Sequence, residues 1–387
     1  MIYDGKNLKL VLLDANFYWS EQLFSSYQDF ADILLLKPRD FRAFRQDYGN
    51  YLTDLQPKQI AKKIWEQRIC CPPGWLFNYW SITKHFLAFI IRKFQQNNPL
   101  IFVYCYPYYA SLTQKLDSYS IYYSFDDYTD YWLGKEAKTQ RQETQAIDQA
   151  DLILCTAHHR AKIFQSQHQS KRDRIIHLPH GCSPQFMTEQ PISFRKSLPP
   201  ELKTYRRPIA GYIGALSYRF DFNYLAKVAA KLPEVTFLLG GNTPKIEDGS
   251  SQWWQGVIQI RKLANVHFIG HVPHEKLGDY LQSFDLLLMC YSQCNFNDNI
   301  CPTKLWDYMG TSLPIVANDI VPEVNLWRDY LLVANNIDQY VEYIQFALNN
   351  PDWQAQTRLD IAQQHTWNKQ ADKLHQILEK RLLMPQV

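Results

Sequence analysis

A lysine and an aspartate one helical turn apart stand out in the C-terminal third of the chain. Lys304 and Asp307 lie in residues 301–316, CPTKLWDYMGTSLPIV, a pattern that predicts a loop, a short helix, a tight turn and a buried strand. Pro302 suits the first turn of that helix, and Gly310 suits the left-handed position just after its end. Because a helix N-terminus carries partial positive charge and free N–H groups, Lys304 beside it predicts a phosphate site, and Asp307 could accept hydrogen bonds from a ribose. An ordinary amphipathic helix of an α/β domain explains the same residues equally well.

Two adjacent carboxylates end a predicted strand in the first half of the chain. Residues 120–125 read as the strand, and Asp126 and Asp127 follow at the carboxyl edge of its sheet. Like charges so close disfavour joint ionisation and raise one pKa towards neutrality, which suits a general base. We therefore predict Asp126 as the base and Asp127 as the residue that orients it. The alternative is that both carboxylates only cap the following helix.

The elements that must position these groups form a two-domain α/β chain. Strand-like apolar runs alternate with helical patterns, which predicts parallel sheets covered on both faces. The pattern breaks in a proline-rich stretch that reads as a linker. We predict an N-terminal domain at 1–183, a linker at 184–207, a C-terminal domain at 208–351, and terminal helices at 352–387 that pack back on the first domain.

Composition excludes several classes of protein. A net charge of +3 with 20% charged residues argues against a nucleic-acid binder. The chain opens without a charged and apolar leader, and no apolar run reaches about 18 residues, so we expect neither secretion nor a membrane span. We expect a cytoplasmic protein, with peripheral contact at the inner face of the membrane left open.

Four ordered segments in the second half resemble those of group 1 glycosyltransferases with the GT-B fold. Residues 302–316 are similar to the family segment Pro-x-Lys-x-x-Glu-Tyr-Met-x-x-Gly-x-Pro-Ile-Val, with Asp307 where the family usually has Glu. The likeness extends through residues 211–216, 237–241 and 265–273. It implies two doubly wound Rossmann-like domains facing across a cleft.

The resemblance also implies a set of donor-binding residues. Arg219 is expected to reach a pyrophosphate, and the structural alternative is that Arg219 pairs with Asp221 while Asp221 caps its helix. The loop at His271 and Val272 is expected to contact the nucleobase, and the glycines at 240–241 either face the donor or only mark a turn. The full predicted donor set is Gly214, Ser217, Arg219, Gly241, His271, Val272, Pro302, Thr303, Lys304 and Asp307.

One departure from the family pattern bears on the mechanism. Retaining members place a Glu eight residues before the ribose-binding acid, where this chain has Asn299. An inverting transfer is therefore expected, and residues 126–128, Asp-Asp-Tyr, resemble an element of inverting bacterial enzymes that build exopolysaccharide. His180 lies where the family usually has Asn at a hinge, so we assign it to loop geometry.

Two further segments are candidates for contact with an acceptor or a membrane. Asn16, Tyr18 and Trp19 follow the first strand and could add acceptor contacts. The apolar helix over residues 86–94, with Lys84 and Arg92 nearby, could touch a membrane that carries a lipid-linked acceptor, but packing in the domain core is favoured.

The sequence thus predicts a glycosyltransferase of the hexosyltransferase type in cell-surface polysaccharide synthesis. It would move a sugar from a nucleotide-sugar donor, UDP- or GDP-linked, to a glycan or lipid-linked glycan, without a metal or a cofactor beyond that co-substrate. A non-catalytic binding subunit of a polysaccharide assembly complex and a sugar-nucleotide epimerase remain as alternatives.

Overall fold

The computed structural model describes residues 7–49, 53–76, 78–131, 134–188 and 197–382. Contacts divide the chain into two compact units, Met1–His180 with Trp367–Val387, and Gly181–Thr366. The start of the chain and residues 189–196 of the predicted linker lie outside the described residues. Among the described residues, every helix is too short or too polar to span a bilayer.

The first unit is built on an eight-stranded sheet with the order β3-β4-β2-β1-β5-β6-β7-β8. Its strands are β1 (Lys9–Leu13), β2 (Asp32–Asp40), β3 (Lys58–Ala61), β4 (Ile64–Cys71), β5 (Leu100–Tyr104), β6 (Tyr119–Ser124), β7 (Leu152–Cys155) and β8 (Ile175–His177). Only β3 runs antiparallel, against β4. The central strand β5 is buried along its whole length, as expected for a parallel strand covered on both faces.

Six helices of this unit connect or flank the strands. They are α1 (Tyr18–Ser25), α2 (Phe41–Tyr48), α3 (Trp80–Gln95), α4 (Ala110–Thr113), α5 (Glu136–Gln149) and α6 (His158–Gln167). Helix α3 was expected to lie in the core, but only one side of it does. Leu87 and Ile91 are buried, whereas Ile82 and Phe89 lie exposed on the opposite side.

The second unit is a six-stranded, fully parallel sheet with the order β11-β10-β9-β12-β13-β14. Its strands are β9 (Ile209–Ile213), β10 (Thr236–Gly240), β11 (Val266–Gly270), β12 (Leu286–Met289), β13 (Ile315–Asn318) and β14 (Leu332–Ala334). Its helices are α7 (Phe222–Lys231), α8 (Ser251–Ile260), α9 (Leu277–Ser283), α10 (Asn295–Asp298), α11 (Thr303–Gly310), α12 (Pro322–Asn325), α13 (Ile337–Asn349) and α14 (Ala355–Gln364). The strand order reverses beside β9, and ligands of open α/β sheets bind at such a point.

The C-terminal tail is divided between the two units. Helix α14 belongs to the second unit, where the buried Arg358 donates to the carbonyl of Ser312 at 2.8 Å. The last helix, α15 (Trp367–Leu382), belongs to the first, where His375 stacks on Phe30 at 3.8 Å between ring centroids. We expected residues 352–387 to pack together on the first domain, but only α15 lies there.

The end of helix α11 differs from its expected form. Gly310 is the last helical residue, and the left-handed position falls at Ser312, whose φ is 63°. The glycine is needed for close approach, since a Cβ at Gly310 would lie 3.0 Å from Cys182 Sγ and 3.4 Å from the carbonyl oxygen of Phe186. Packing, not the turn, therefore accounts for this glycine.

Backbone hydrogen bonds join the loops at the carboxyl ends of β9, β10 and β11. The amide of Gly214 donates to Gly240 O at 2.9 Å, and the amide of Gly241 donates to Gly270 O at 2.8 Å. Gly241 has a φ of 153°, and a Cβ there would lie 2.1 Å from Gly214 O. The three loops can approach this closely only because Gly241 has no side chain.

Replacing Gly241 by Ala is expected to lower the free energy of unfolding by about 3 kcal/mol, because the methyl group meets backbone that cannot give way. Gly270→Ala is the matched control. Gly270 also has a positive φ, of 75°, but has open space around its Cβ position, so the loss should be about 1 kcal/mol. Urea titration of both variants by circular dichroism measures the difference, and equal losses would contradict the close-approach explanation.

Candidate functional site

The start of helix α11 lies at the carboxyl edge of the second sheet. Pro302 is its N-cap residue, with a φ of −65°, and no side chain caps the helix. The amides of Thr303 and Lys304 are in the first turn, where a helix has no internal partners for its N–H groups. Partial positive charge at this point favours an anion.

Lys304 extends over the end of strand β9. Its Nζ lies 3.3 Å from the hydroxyl of Tyr212 and 4.9 Å and 5.8 Å from the ring centroids of Tyr212 and Tyr291. A Cβ at Gly214 would lie 2.9 Å from that Nζ, so the glycine makes room for the ammonium group. Within the part of the chain that the structure describes, Lys304 forms no salt bridge.

Burial and a second cation lower the pKa of Lys304 to about 8. That cation is Arg219, in the loop between β9 and α7. Its guanidinium carbon lies 3.5 Å from the ring centroid of Phe296, and its buried Nε has no hydrogen-bond partner among the described residues. The Arg219 backbone is fixed, because its carbonyl accepts from Asn297 Nδ2 and from the amide of Ser292, both at 2.9 Å. Two cations therefore share one partly buried space.

The nearest acid does not balance this charge. Burial raises the pKa of Asp307 to about 8, although the backbone of Ser183 and the charge of Lys304 oppose the shift. Asp307 is thus largely protonated at neutral pH. The other acid near Arg219, Asp221, caps α7 by accepting from the amide of Tyr224 at 2.8 Å, as the structural alternative for this residue supposed. Positive charge in excess of negative charge is an arrangement that binds polyanions.

The remaining residues of the predicted donor set lie on the same edge of the sheet. Ser217 is in the loop after β9, and its carbonyl accepts from the amide of Phe220. His271 is exposed and Val272 buried in the loop after β11. The amide of Gly241 is already engaged, so this residue brings the loops together instead of offering an N–H group.

Sequence reasoning missed the aromatic surroundings of the two cations. Tyr212 lies near the end of β9, Tyr291 follows β12 and Phe296 lies in α10. The two tyrosine rings lie near the ammonium group of Lys304, and the phenylalanine ring lies near the guanidinium of Arg219. Aromatic faces attract cations in desolvated sites. In the sequence, a tyrosine near the end of a central strand could have indicated such an aromatic contact. The chain also has tyrosines in similar positions that do not contact a cation among the described residues, so the pattern does not identify the site.

Asn299 has no free amide donor to present to a ligand. Its Nδ2 donates to the carbonyl of Asn295 at 3.0 Å, and the residue is buried. The side chain holds the loop between β12 and α11 together. The carboxylate that a retaining family member carries here has no substitute at this position.

The carboxyl edge of the first sheet carries a second group of polar residues. Asp126 follows β6, is partly exposed, and accepts a hydrogen bond from Tyr131. Asp14 follows β1 and accepts from Tyr109 at 2.8 Å. Tyr106 follows β5, the strand between β1 and β6, and burial together with the charges of Asp14 and Asp126 raises its pKa well above the usual range. Two carboxylates therefore flank one tyrosine.

Asp14 is the residue at this edge that sequence reasoning passed over. It is buried with a φ of 64°, and burial raises the pKa of its carboxyl, while hydrogen bonds from Asn16 and Tyr109 oppose the shift. An acid in a left-handed conformation at the end of a buried strand is strained and costly to keep. The sequence feature that could have identified Asp14 is its position directly after the apolar run of β1.

The predicted acceptor residues follow Asp14 closely. Asn16 donates to Asp14 and to the carbonyl of Pro38, Tyr18 is exposed, and Trp19 packs against Phe125 at 5.6 Å between ring centroids. The indole N–H of Trp19 is buried without a hydrogen-bond partner among the described residues. An unmet donor here is available to a ligand oxygen.

Asp127, predicted to orient Asp126, contacts Thr129 and Arg160. Its carboxylate accepts from the amide and hydroxyl of Thr129, at 3.0 and 2.6 Å, and lies 3.7 Å from the guanidinium of Arg160. Arg160 is buried, also pairs with Glu143 and donates to Ser124 Oγ at 2.7 Å. Asp127 therefore lies beside a buried cation, which the sequence pattern did not predict.

Two other predictions concern histidine and metal binding. His180 is buried between the rings of Trp19 and Trp367, and burial lowers its pKa to about 3, so it is neutral and fits the loop role assigned to it. Across the described ranges, no three His, Cys, Asp or Glu side chains cluster in a way that could hold a metal ion.

Comparisons with known proteins agree with this architecture. Residues 207–350 match the family model described as glycosyl transferases group 1. A protein of Bacillus subtilis strain 168, provisionally named teichuronic acid biosynthesis glycosyltransferase TuaH, is 21% identical over 231 residues, which cover 58% of this chain and 56% of the relative. The alignment thus spans little more than half of that relative.

Solved structures match nearly the whole chain. Sucrose-phosphate synthase of Thermosynechococcus elongatus is 14% identical, covers 97% of this chain and 99% of its own, and has a TM-score of 0.70. HepE of Anabaena, solved in complex with UDP, is 12% identical, covers 97% and 100%, and also has a TM-score of 0.70. The chain therefore has the GT-B fold, and the predicted family resemblance and fold class are confirmed.

Arg160 should be a major contributor to the stability of the first unit. Arg160→Leu leaves Asp127 and Glu143 buried without their cation, so the free energy of unfolding should fall by about 3–5 kcal/mol. Lys162→Leu, at an exposed position of the same helix, should change it by less than about 0.5 kcal/mol. Urea denaturation measures both, and a small effect at Arg160 would show that Asp127 does not depend on this pair.

Proposed function

We propose that the protein is a glycosyltransferase that takes a sugar from a nucleoside diphosphate donor held on the second unit. The observation that carries the proposal is the pair of cations at the start of α11, with Lys304 over the rings of Tyr212 and Tyr291 and Arg219 over the ring of Phe296. A diphosphate supplies the negative charge that this space lacks. The match of residues 207–350 to group 1 glycosyl transferases supports the same donor class, and UDP in the HepE complex makes uridine the first base to test.

The cations also explain how the leaving group would depart. When the bond between the anomeric carbon and the diphosphate oxygen breaks, negative charge grows on that oxygen. Lys304, Arg219 and the amides of the first turn of α11 are already oriented to stabilise it, and such preorganised groups commonly supply the largest catalytic contribution. We propose that these groups do the work without a metal ion and that no further cofactor takes part.

On the first unit, we propose Asp126 as the general base. It would take the proton from an acceptor hydroxyl as that oxygen attacks the anomeric carbon, which inverts the configuration at that carbon. Asp126 is partly exposed and held by Tyr131, whereas Asp127 is committed to Arg160 and Thr129. Asp14, with its raised pKa, is the competing candidate.

The acceptor class that we propose is a glycan or a lipid-linked glycan of cell-surface polysaccharide synthesis, with the protein working in the cytoplasm at the inner face of the membrane. The name of the Bacillus subtilis relative supports this class. The partly exposed aromatic residues near Asp126, Tyr106 and Tyr131, are suited to the apolar faces of sugar rings. Asn16, Tyr18 and Trp19 remain the proposed acceptor contacts.

Nucleotide binding is the first expected outcome. In calorimetric titrations with UDP, GDP, dTDP and ADP in the presence of EDTA, one nucleotide should bind at micromolar concentration. Lys304→Ala should weaken that binding about 30-fold, since a charge-assisted contact of about 2 kcal/mol is lost. Lys262→Ala, an exposed lysine of the same unit, should leave it unchanged.

The affinity should also depend on pH. Lys304 binds the diphosphate in its charged form, and its lowered pKa of about 8 means that the charge is lost as the pH rises through 8. Asp307 gains negative charge over the same range, because its raised pKa is also about 8. Affinity should thus be constant near pH 7 and fall above pH 8. Lys304→Arg, which stays charged, should remove the part of the fall that is due to Lys304 and leave the smaller part that is due to Asp307. Failure of every nucleotide to bind would favour a non-catalytic binding subunit.

Transfer itself tests the carboxylates. Asp126→Asn should lower kcat about 10²- to 10⁴-fold for transfer of labelled sugar from the matching donor to a panel of glycans and polyprenyl-linked glycans. Nucleotide affinity should be unchanged. Asp14→Asn, measured in parallel, identifies the base, because the greater loss of kcat at Asp14 would contradict the role of Asp126. Conversion of the donor sugar without any acceptor would instead indicate an epimerase.

A further inference from the structure

The outer side of helix α3 is an apolar stripe open to solvent. Ile82, Phe86 and Phe89 are 73%, 47% and 65% exposed, and their spacing puts them on one side of the helix. The opposite side is buried in the first unit through Leu87 and Ile91. Exposed aromatic residues that follow one helical stripe mark a surface that contacts something apolar.

A groove extends this stripe beyond the helix. It has a volume of about 470 Å³ and lies between α3 and the segment before β3. Its apolar lining includes Phe86 and Phe89 of α3, Leu55 and Pro57 of the preceding segment, and Trp65 of β4. Leu55 is 91% exposed, the largest exposure among the large apolar residues that the structure describes. We call the stripe and groove together the α3 face.

The charge around the α3 face is positive. Residues 67–116 contain no Asp or Glu, while Lys84, Arg92 and Lys93 are on the helix itself. His85 lies on the same side, and its Nδ1 is 2.7 Å from the carbonyl of Ser81.

The acids that border the groove are already paired. Asp54 lies 2.5 Å from Lys58 Nζ and Asp32 lies 2.7 Å from Lys9 Nζ. The exposed Lys62, in the turn between β3 and β4, adds a further positive charge. Apolar side chains with cations beside them, next to a groove whose lining acids Asp32 and Asp54 are paired with lysines, match the headgroup region of an anionic membrane.

A second copy of the chain is the less suitable occupant. A two-fold symmetric contact would place Lys84, Arg92 and Lys93 opposite the same residues of the other copy, and like charges in an interface are repulsive. Long lysine and arginine side chains beside a membrane instead extend to the lipid phosphates while the apolar residues enter the interface.

The α3 face begins next to the proposed acceptor site. Trp80, the first residue of α3, packs on Tyr109 at 5.6 Å between ring centroids, and Tyr109 donates to Asp14. We propose that the α3 face docks the protein on the surface of an anionic lipid bilayer. The exposed residues of the α3 face are sufficient to support docking. The further step, that docking presents a lipid-linked acceptor to the first unit, rests on the proposed function.

Vesicle flotation of the full chain tests the proposal. The protein should float with vesicles that contain about a third anionic phosphatidylglycerol and bind neutral phosphatidylcholine vesicles at least tenfold more weakly. The Phe86→Ser, Phe89→Ser double variant should lose at least tenfold in partitioning to the anionic vesicles. The Arg92→Glu, Lys93→Glu double variant should lose a similar factor, and added salt should reduce wild-type binding.

The matched control replaces exposed apolar residues of the second unit. Ile246→Ser with Leu326→Ser removes two side chains that are 63% and 53% exposed, and it should leave flotation unchanged. Equal flotation of the α3 variants and the wild type, or no flotation with any vesicle, would overturn the proposal. So would a dimer in sedimentation equilibrium that the Phe86 and Phe89 changes dissolve while no vesicle binds.

Nucleotide titration keeps this test separate from the proposed function. The α3 variants should bind the selected nucleotide as the wild type does, because α3 belongs to the other unit from Lys304. Flotation without nucleotide binding would leave the docking surface intact and remove the proposed donor site. Nucleotide binding without flotation would do the reverse.

Discussion

The structure depends on the burial of two positive charges without an acid to balance them. Lys304 and Arg219 lie together at the end of β9, and the acid beside them, Asp307, is held largely protonated. Removing charged groups from water costs free energy, and the lowered pKa of Lys304 reflects this desolvation. A diphosphate would reverse the balance.

The surrounding fold is arranged to keep these cations from separating. The amides of Gly214 and Gly241 tie three loops together, and Asn297 fixes the backbone at Arg219. Behind α11, Trp306 stacks on His365 at 4.2 Å, and Arg358 holds the carbonyl of Ser312 just past the helix end. These contacts explain why α14 stays with the second unit. A helix that carries a buried lysine needs support on the side away from the ligand.

Periodicity and local backbone rules were enough to predict the elements that carry the donor site. Apolar runs located the strands of the second sheet, and the N-terminus of α11 fell within one residue of its predicted start at Pro302. Features that depend on distant partners were missed. Strand β4 was not predicted because it carries Glu66 and Arg68, which are tolerated there only because they pair with each other and Glu66 with Lys37. The contact between Asp127 and Arg160 was missed for the same reason, because the two residues are far apart in the sequence.

Helix α3 shows most clearly that the hydrophobic pattern of a sequence does not determine which sides of a helix are buried. Its sequence is apolar on nearly all sides, and such a helix is ordinarily core. The first unit buries one side, through Leu87 and Ile91, and among the described residues Ile82, Phe86 and Phe89 stay exposed. Apolar residues that the chain itself leaves uncovered, with cations but no acids along the same fifty residues, are suited to a surface outside the protein. Because α3 also contacts Tyr109, the partner of Asp14, a membrane on this face would lie beside the two carboxylates. A soluble sugar acceptor would give no physical reason for that proximity, whereas an acceptor anchored in the bilayer would.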